Sequence, residues 1–342
     1  MSQPVISVII VNWNGLKFLK GCLRTLLLQS FSDFETIVVD NGSVDGSVAF
    51  IRDSYLTVKV IENSENRGFA TANNQGLGVA RGRYVAFLNN DTEVDREWLS
   101  NLAVSAESSP PDVGMWAPKI LSLDDRATID SVGGLLISTC CIAKGRGRGE
   151  RDKGQYDGVS YVFIPSACSA MYRREMIDDV GGFDEEFFAY CEDTDLGMRA
   201  RLRGWKTCSV PKAVVYHHYS GTAGRYSPTK AFLVERNHIW VAVKNLPLPM
   251  VVPFPIFTVW RYLLQSYGVI TQKGAGGRYV KGHSRGSLLR LLGNAWLGAA
   301  KGLPGMLKKR ARVQGSRVAP NGEVMRWFSR YRISLGDLVF KE

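Results

Sequence analysis

The sequence has little of what marks a disulfide-framed, metal-fingered or membrane-spanning protein. Its 342 residues hold six cysteines, Cys22, Cys140, Cys141, Cys168, Cys191 and Cys208. None are paired at CxxC spacing, which argues against a zinc site or disulfide frame and for reduced thiols in a cytosolic protein. The start "MSQPVISVIIVNW" has no basic n-region and no small-residue cleavage pattern, so a signal peptide is not expected. No long apolar run is present: "LPLPMVVPFPIFTVW" (246–260) contains four prolines and falls short of the roughly 20 residues a spanning helix needs. After the first apolar run, "VNWNGLKF" carries a single glycine. A dinucleotide site needs GxGxxG there, so nicotinamide and flavin chemistry are disfavoured. No internal repeat or low-complexity block stands out.

Charge is abundant but unevenly placed. The net charge is +11, yet residues 246–342 hold 16 Lys+Arg against 3 Asp+Glu, and residues 1–245 hold 27 against 29. The basicity belongs to the tail. A near-neutral body that does chemistry and a tail that meets an anionic surface is the organisation this suggests. The expected boundary lies near Leu246, giving domains 1–245 and 246–342. Within the tail, Leu288, Leu292, Ala295, Ala299 and Leu303 make one apolar face, with Arg290, Lys301 and the Lys308–Arg312 cluster around it. Residues 285–313 fit a basic amphipathic segment lying on anionic lipid. They also fit an ordinary helix packing its leucine face on the domain. A nucleic-acid partner would explain the basic tail, but not the polar strand ends described next, and none is expected.

"VISVIIVN" (5–12) is a continuous β-branched run, the pattern of a strand buried on both faces. Leu16, Leu19, Leu23, Leu26 and Leu27 follow at helical spacing. "FETIVVD" (34–40), "TVKVIE" (57–62) and "RYVAFLNND" (83–91) read as further strands. Helices are expected after Ser43 or Asp45 as a cap, and over 68–82. This rhythm predicts βαβ units and a mostly parallel sheet. Ligands bind beyond the carboxyl ends of such strands. Here those ends turn polar three times, at Asn12-Trp13-Asn14, Asp40-Asn41 and Asn89-Asn90-Asp91. Segment 140–158 is glycine-rich, charged and without periodicity, and reads as a loop.

"LNND" sets a carboxylate and two amides at a sheet mouth. Such hard oxygen donors suit Mg2+ or Mn2+ bridging a diphosphate; they also suit a polar turn. "VVDNGSVDGS" ends a strand in an acid that could hydrogen-bond a nucleoside, or a turn with a helix cap. "YHHYSGT" places His217 and His218 after a strand, with Ser220 and Thr222 close by, and alternation lets only one histidine face the site. "CEDTDLGMRARLRG" is good helix chemistry: Asp193 as cap, acids in the first turn, basic residues in the last, Gly204 as stop. A carboxylate held at a helix start beside "FFAY" also suits a positioned base, since apolar neighbours raise its pKa and the helix dipole lowers it. Both readings stand on these residues alone.

Taken in order, "VIIVNWNG", "VVDNGSVDGS", "ENRGFATANNQG", "LNNDT", "GGFDEEFFAYCEDTDLGMRARLRGW" and "VVYHHYSGT" make the chain similar, over roughly residues 5–245, to glycosyltransferase family 2, and most to its bacterial rhamnosyltransferase-like members. The resemblance implies an α/β GT-A fold with a nucleotide-sugar donor, followed by a helical C-terminal extension. It implies that the main chain at Val11 and Asn12, with Asp40, holds base and ribose, and that Arg67 and Asn73 line the nucleotide pocket beside Asn89 and Asn90. It implies that Asp91 and His217 bind Mg2+ or Mn2+ and that Asp193 is the catalytic base of an inverting transfer. Asn89 stands where the family's DxD-like motif begins with an acid, which removes one charge from the metal side. A lipid-linked glycan acceptor, a role in O-antigen or cell-wall synthesis and a place at the inner face of the cytoplasmic membrane follow from the same resemblance. The alternative is a non-catalytic glycan-assembly partner that keeps the fold.

Overall fold

The computed structural model describes residues 3–219, 227–282 and 284–341; Ser220 and Thr222 lie outside them. Two compact units are present, one of residues 1–135, 145–200 and 205–222, the other of 136–144, 201–204 and 223–342.

The first unit opens with β1 (Ile6–Asn12), α1 (Leu16–Leu26), β2 (Phe34–Asp40), α2 (Ser47–Ser54), β3 (Lys59–Glu62), α3 (Phe69–Val79) and β4 (Tyr84–Asn89). It continues through β5 (Thr92–Val94), α4 (Trp98–Ser108), β6 (Val113–Ser122) and β7 (Ile129–Ser131). The chain then forms a short ribbon, β8 (Leu135–Ile137) with β9 (Ala143–Gly145), whose residues 136–144 belong to the second unit and whose β9 interrupts the segment expected to be loop. Then come β10 (Tyr161–Val162), β11 (Ser169–Arg173), α5 (Arg174–Val180), α6 (Glu192–Leu202) and β12 (Lys206–His217).

The large sheet runs β10-β12-β6-β11-β4-β1-β2-β3, with β5 on β12 and β7 on β6. β3, β2, β1 and β4 are mutually parallel, and β11 is antiparallel to β4 and β6. The β-branched run of β1 is buried on both faces, as such runs require. Ile6, Val8 and Ile10 join one core with Leu19, Leu23 and Trp98, while Ile9 joins another with Ile37, Val39 and Phe87. All six cysteines are free thiols.

Two expected caps differ in detail. α2 starts after Gly46, whose φ of 86° needs no Cβ, and the Asp45 carboxylate accepts from Ser47 N at 3.1 Å. α6 starts at Glu192, so Asp193 lies in the first turn and is not the cap. The preceding residue, Cys191, has a left-handed backbone instead.

The second unit holds α7 (Pro228–Asn245), α8 (Leu248–Val251), α9 (Phe254–Thr271), α10 (Gly274–Gly282), α11 (Arg285–Ser316), α12 (Asn321–Arg330) and α13 (Leu335–Phe340). It begins before the boundary expected at 246, because α7 packs along α11 and joins its core. Ala295, Ala299 and Met306 of α11 are buried, Trp240 of α7 donates to Ala299 O at 3.0 Å, and its ring fills the space a side chain at Gly302 would need. The stripe containing Ala295 and Ala299, one candidate for lying on lipid, is thus turned inward; its apolar surface is satisfied by α7. A buried ion pair fastens this unit: the two terminal guanidinium nitrogens of Arg261 donate to Glu235, at 2.7 and 2.6 Å. No helix among the described residues is long and apolar enough to cross a membrane.

Candidate active site

Register brings the polar strand ends together. Asn12 pairs with Asp40, and Val11 with both Val39 and Asn89. β1, β2 and β4 therefore end side by side. Their side chains then link across the sheet. Asn90 Nδ2 donates to Asn12 Oδ1 at 2.8 Å, Asn12 Nδ2 to Asp40 Oδ2 at 2.9 Å, and Ser43 N to Asp40 Oδ1 at 2.8 Å. The close approach explains Gly15: a Cβ there would overlap Asn90 Nδ2 and stand 2.6 Å from Asn12 Oδ1. Asn12, Asp40 and Asn90 are buried, so the relay is a rigid floor rather than a solvated turn.

The other expected nucleotide residues are placed differently from one another. Val11 belongs to the ladder through its main chain and is half-buried. The Arg67 guanidinium is exposed, and Arg67 N lies 3.4 Å from Asn41 Oδ1. Asn73 is buried within α3 and donates to Phe69 O of its own helix at 2.9 Å. Asn89 Oδ1 is buried and accepts no hydrogen bond.

The sheet also joins Asp91 to His217. β5 pairs with β12 so that His217 opposes Thr92, the residue after Asp91. His217 Nε2 lies 3.4 Å from Asp91 Oδ1, and His217 Nδ1 lies 2.6 Å from Asp130 Oδ2. His218 points elsewhere, to Asp124 at 2.9 Å and onto the Phe18 ring, as strand alternation requires. Burial alone would lower the His217 pKa; Cys168, Asp130 and Asp91 outweigh it and keep the imidazole protonated well above its usual range. Arg148, from the 140–158 segment, sits 3.5 Å from Asp130 and 3.6 Å from the centre of the Tyr219 ring.

This donor set suits a small divalent cation. Two ligands each about 2.1 Å from one ion stand about 3 Å apart, close to the Asp91–His217 separation. Asp130 on the far nitrogen is the outer-shell partner a metal-binding histidine generally has. The orphaned Asn89 amide oxygen lies at the end of β4, two residues from Asp91. The imidazole proton meets the demand of two carboxylates for positive charge, and a cation would meet the same demand. No cluster of three His, Cys, Asp or Glu ligands occurs among the described residues. The protein would therefore supply two ligands, and phosphate and water the rest, as Mg2+ sites usually do.

Asp193 stands at the start of α6. Its Oδ2 accepts from Ala167 N at 3.1 Å and its Oδ1 from Thr194 N at 2.6 Å. Burial raises its pKa while those amide bonds hold it down, with a net upward shift. The neighbouring Glu192, buried and then opposed by the Asp193 charge, is pushed up to about 8, and its Oε2 has no hydrogen-bond partner. Asp195 is committed elsewhere, to Arg199 at 2.8 Å. Ala167, which holds Asp193, directly precedes Cys168, which meets His217; one strand entry thus ties the carboxylate pair to the imidazole.

The approach to α6 is strained. Phe188, Tyr190 and Cys191 have φ of 65°, 67° and 66°, uncommon for residues with a Cβ and concentrated at functional sites. Phe188 is fixed by α3: Ala70 N donates to Phe188 O at 3.1 Å, and Gly68 packs so closely that a Cβ would lie 2.6 Å from the ring.

Sequence reasoning missed Asp130, Cys168, Arg148 and Glu192 as members of this site. Only Glu192 had a local signal, its place beside Asp193.

The family model described as "Glycosyl transferase family 2" matches residues 7–181, more than half of the chain. The chain belongs to glycosyltransferase family 2. It is 26% identical over 278 residues to the N-acetylglucosaminyl-diphospho-decaprenol L-rhamnosyltransferase of Mycobacterium tuberculosis, covering 69% of this chain and 86% of that one. It is 30% identical over 237 residues to the uncharacterized protein y4gI of Sinorhizobium fredii, covering 65% of this chain but only 25% of that relative's length. Among solved structures it is similar to the mannosyltransferase PcManGT of Pyrobaculum calidifontis in complex with GDP-Man and Mn2+. The TM-score there is 0.53 at 18% identity, over 92% of this chain and 86% of that one. The fold of the first unit is the GT-A fold, as the sequence motifs implied.

Proposed function

We propose that this family 2 glycosyltransferase moves a sugar, rhamnose or another hexose, from a nucleoside-diphosphate donor to a hydroxyl of a polyprenyl-linked glycan, with inversion, in building cell-surface polysaccharide. The nucleotide lies across Val11, Asn12, Asp40, Arg67, Asn73, Asn89 and Asn90. Asp91 and His217 hold Mg2+ or Mn2+, which when bound neutralises charge on the diphosphate. Asp193 accepts the acceptor hydroxyl's proton as that oxygen bonds to the anomeric carbon. The anomeric carbon–phosphate oxygen bond breaks, and the nucleoside diphosphate departs with the bonding pair. Work at a lipid-linked acceptor goes with attachment of the C-terminal extension to an anionic membrane surface.

The observation that carries this reading is the Asp193 carboxylate. It is fixed by two amide N–H groups, raised in pKa, and joined through Ala167–Cys168 to the Asp91–His217 pair. A helix cap alone has no use for a buried carboxylate pair whose pKa values are both pushed up. The test is nucleoside-diphosphate release from a panel of donors, dTDP-rhamnose and common UDP- and GDP-sugars, with a lipid extract as acceptor and with Mg2+, Mn2+ or EDTA. Metal-dependent release from one donor, lost in Asp193→Asn while that donor still binds, is the expected result. Normal turnover by Asp193→Asn would remove it as the base. No release and no nucleotide binding by calorimetry would favour the non-catalytic partner.

A further inference from the structure

The second unit carries a large apolar surface that its own packing does not use. On α8, on the residue that caps it and on α9, Leu248, Val252, Ile256, Val259, Trp260, Leu263, Tyr267 and Ile270 are all exposed, Ile256 and Ile270 by 70% and 71%. The six on α9 recur at helical spacing and fall within about 100° of arc, the width of a stripe that normally faces a core. The opposite side of α9, with Phe254, Thr258, Arg261 and Gly268, is the buried one. Patches of this kind mark interaction sites.

Charge says what the patch meets. α9 contains one charged residue, Arg261, and it is turned inward onto Glu235. The outward stripe is therefore without charge. Around it, sequence composition is one-sided: between Glu235 and Glu323 there is no Asp or Glu, against 14 Lys+Arg. At the C-terminal end of α9, Lys273 and Arg278 line a shallow cavity of about 450 Å³ with Gln272, Gly274 and Phe340. Trp260 and Tyr267 are the aromatic types that settle at a lipid–water boundary. A second protein of ordinary composition would bring acids and bases together; an anionic bilayer presents only apolar depth and negative headgroups.

We infer that the outward face of α8–α9 is the surface that enters an anionic bilayer, with Lys273 and Arg278 among the headgroups, and that α11, whose exposed apolar side chains Leu289, Trp296, Leu297 and Leu307 are interspersed with basic residues, lends chiefly basic charge. This rests on the membrane attachment proposed above and moves its apolar anchor from α11, whose Ala295 and Ala299 are buried, to α9. The chain seats on the surface without crossing it.

The test uses the full chain with two vesicle types, pure phosphatidylcholine and a mixture with phosphatidylglycerol, in flotation at two salt concentrations. Three proteins are compared: wild type, Trp260→Glu with Leu263→Glu, and Lys308→Ser with Lys309→Ser. All substituted side chains are on exposed or half-exposed positions, and circular dichroism with thermal unfolding checks that each variant keeps the fold. Wild type should float with anionic vesicles only, and the α9 variant should lose affinity by about tenfold or more at both salt concentrations. The α11 variant should lose a smaller, salt-sensitive part. Equal flotation of wild type and α9 variant would overturn the anchor while leaving membrane attachment standing. Failure of wild type to float would end both readings. If wild type instead forms dimers that Trp260→Glu with Leu263→Glu dissolves, the face belongs to a second copy of the chain and the bilayer assignment is wrong.

Discussion

The imidazole of His217 is held between two carboxylates that lie far apart in the chain, with Asp130 only 2.6 Å from Nδ1. β7 delivers Asp130, by pairing with β6, the parallel neighbour of β12. A carboxylate in this position fixes the tautomer and makes the other nitrogen a better ligand. Asp130→Asn should weaken Mn2+ binding by about 10- to 100-fold, measured by titrating Mn2+ into the protein with the nucleoside diphosphate present. Without metal the same change should also lower the thermal unfolding temperature, because Asp130 is a charge partner of the buried, protonated imidazole. Unchanged Mn2+ affinity would reduce Asp130 to a packing residue.

Asp130 also marks where sequence reading stopped. The parallel half of the sheet was legible because β1 and β2 are β-branched runs and β4 an apolar one, all largely buried on both faces, and because each ends in Asn or Asp. Asp91, His217 and Asp193 stood in recognisable strings. Asp130 sits in "TIDSVGG", where no periodicity or spacing points to a site 87 residues away. The left-handed turns at Phe188, Tyr190 and Cys191 carry no Gly or Asn to announce them; tertiary contacts impose them. In the tail, the amphipathic pattern of α11 was correctly seen, but a stripe does not say whether a helix or a lipid covers it. The proline-rich stretch at 246–260 hid a helix, since Pro253 and Pro255 sit at the start of α9, where proline is tolerated.

Gly68 ties α3, on the proposed nucleotide side, to the turn before Asp193, the proposed base. Its φ is 87°, and an added Cβ would lie 2.6 Å from Phe188 Cδ2 and 2.7 Å from Phe188 O. Gly68→Ala should cost about 1–3 kcal/mol of stability and lower kcat by displacing the turn that carries Glu192 and Asp193. Gly78→Ala, on the same helix with open space around it, should be neutral or stabilising by up to about 1 kcal/mol. Equal activity in the two variants would show that the Gly68–Phe188 contact is not transmitted to Asp193.

Glu192 makes stability depend on pH in a definite direction. Its folded pKa, about 8, lies above the ordinary 4.5. The folded state therefore binds a proton that the unfolded state has released. Its stabilising share is full below about pH 4.5 and is lost as pH rises through about 8. Urea unfolding of metal-free protein should give a lower free energy at pH 8.5 than at pH 5.5, and Glu192→Gln should flatten that difference by on the order of 1–3 kcal/mol. An identical slope in the variant would assign the proton to Asp193 alone.

The Glu235–Arg261 pair should behave as a buried fastener whose halves cannot be removed singly. Burial opposes the Glu235 charge, but Arg261 overcomes it and holds the carboxyl well below its usual range. Tyr262 adds a third donor at 2.8 Å, and Trp296 of α11 in turn donates to Tyr262 at 2.9 Å, so α7, α9 and α11 meet on one carboxylate. Glu235→Gln leaves Arg261 buried without its opposing carboxylate charge, and should destabilise the chain by about 3–5 kcal/mol. Glu235→Leu combined with Arg261→Met removes both charges and should cost less than either change alone. Because the folded pKa is depressed, the pair's contribution stands above about pH 4.5 and fades as pH falls toward that low value. The gap between wild type and the double variant should therefore narrow in acid. If each single variant instead unfolds at the wild-type urea concentration, the pair is incidental to the helical unit, and the inward turn of Arg261 serves only to keep the outer face of α9 free of charge.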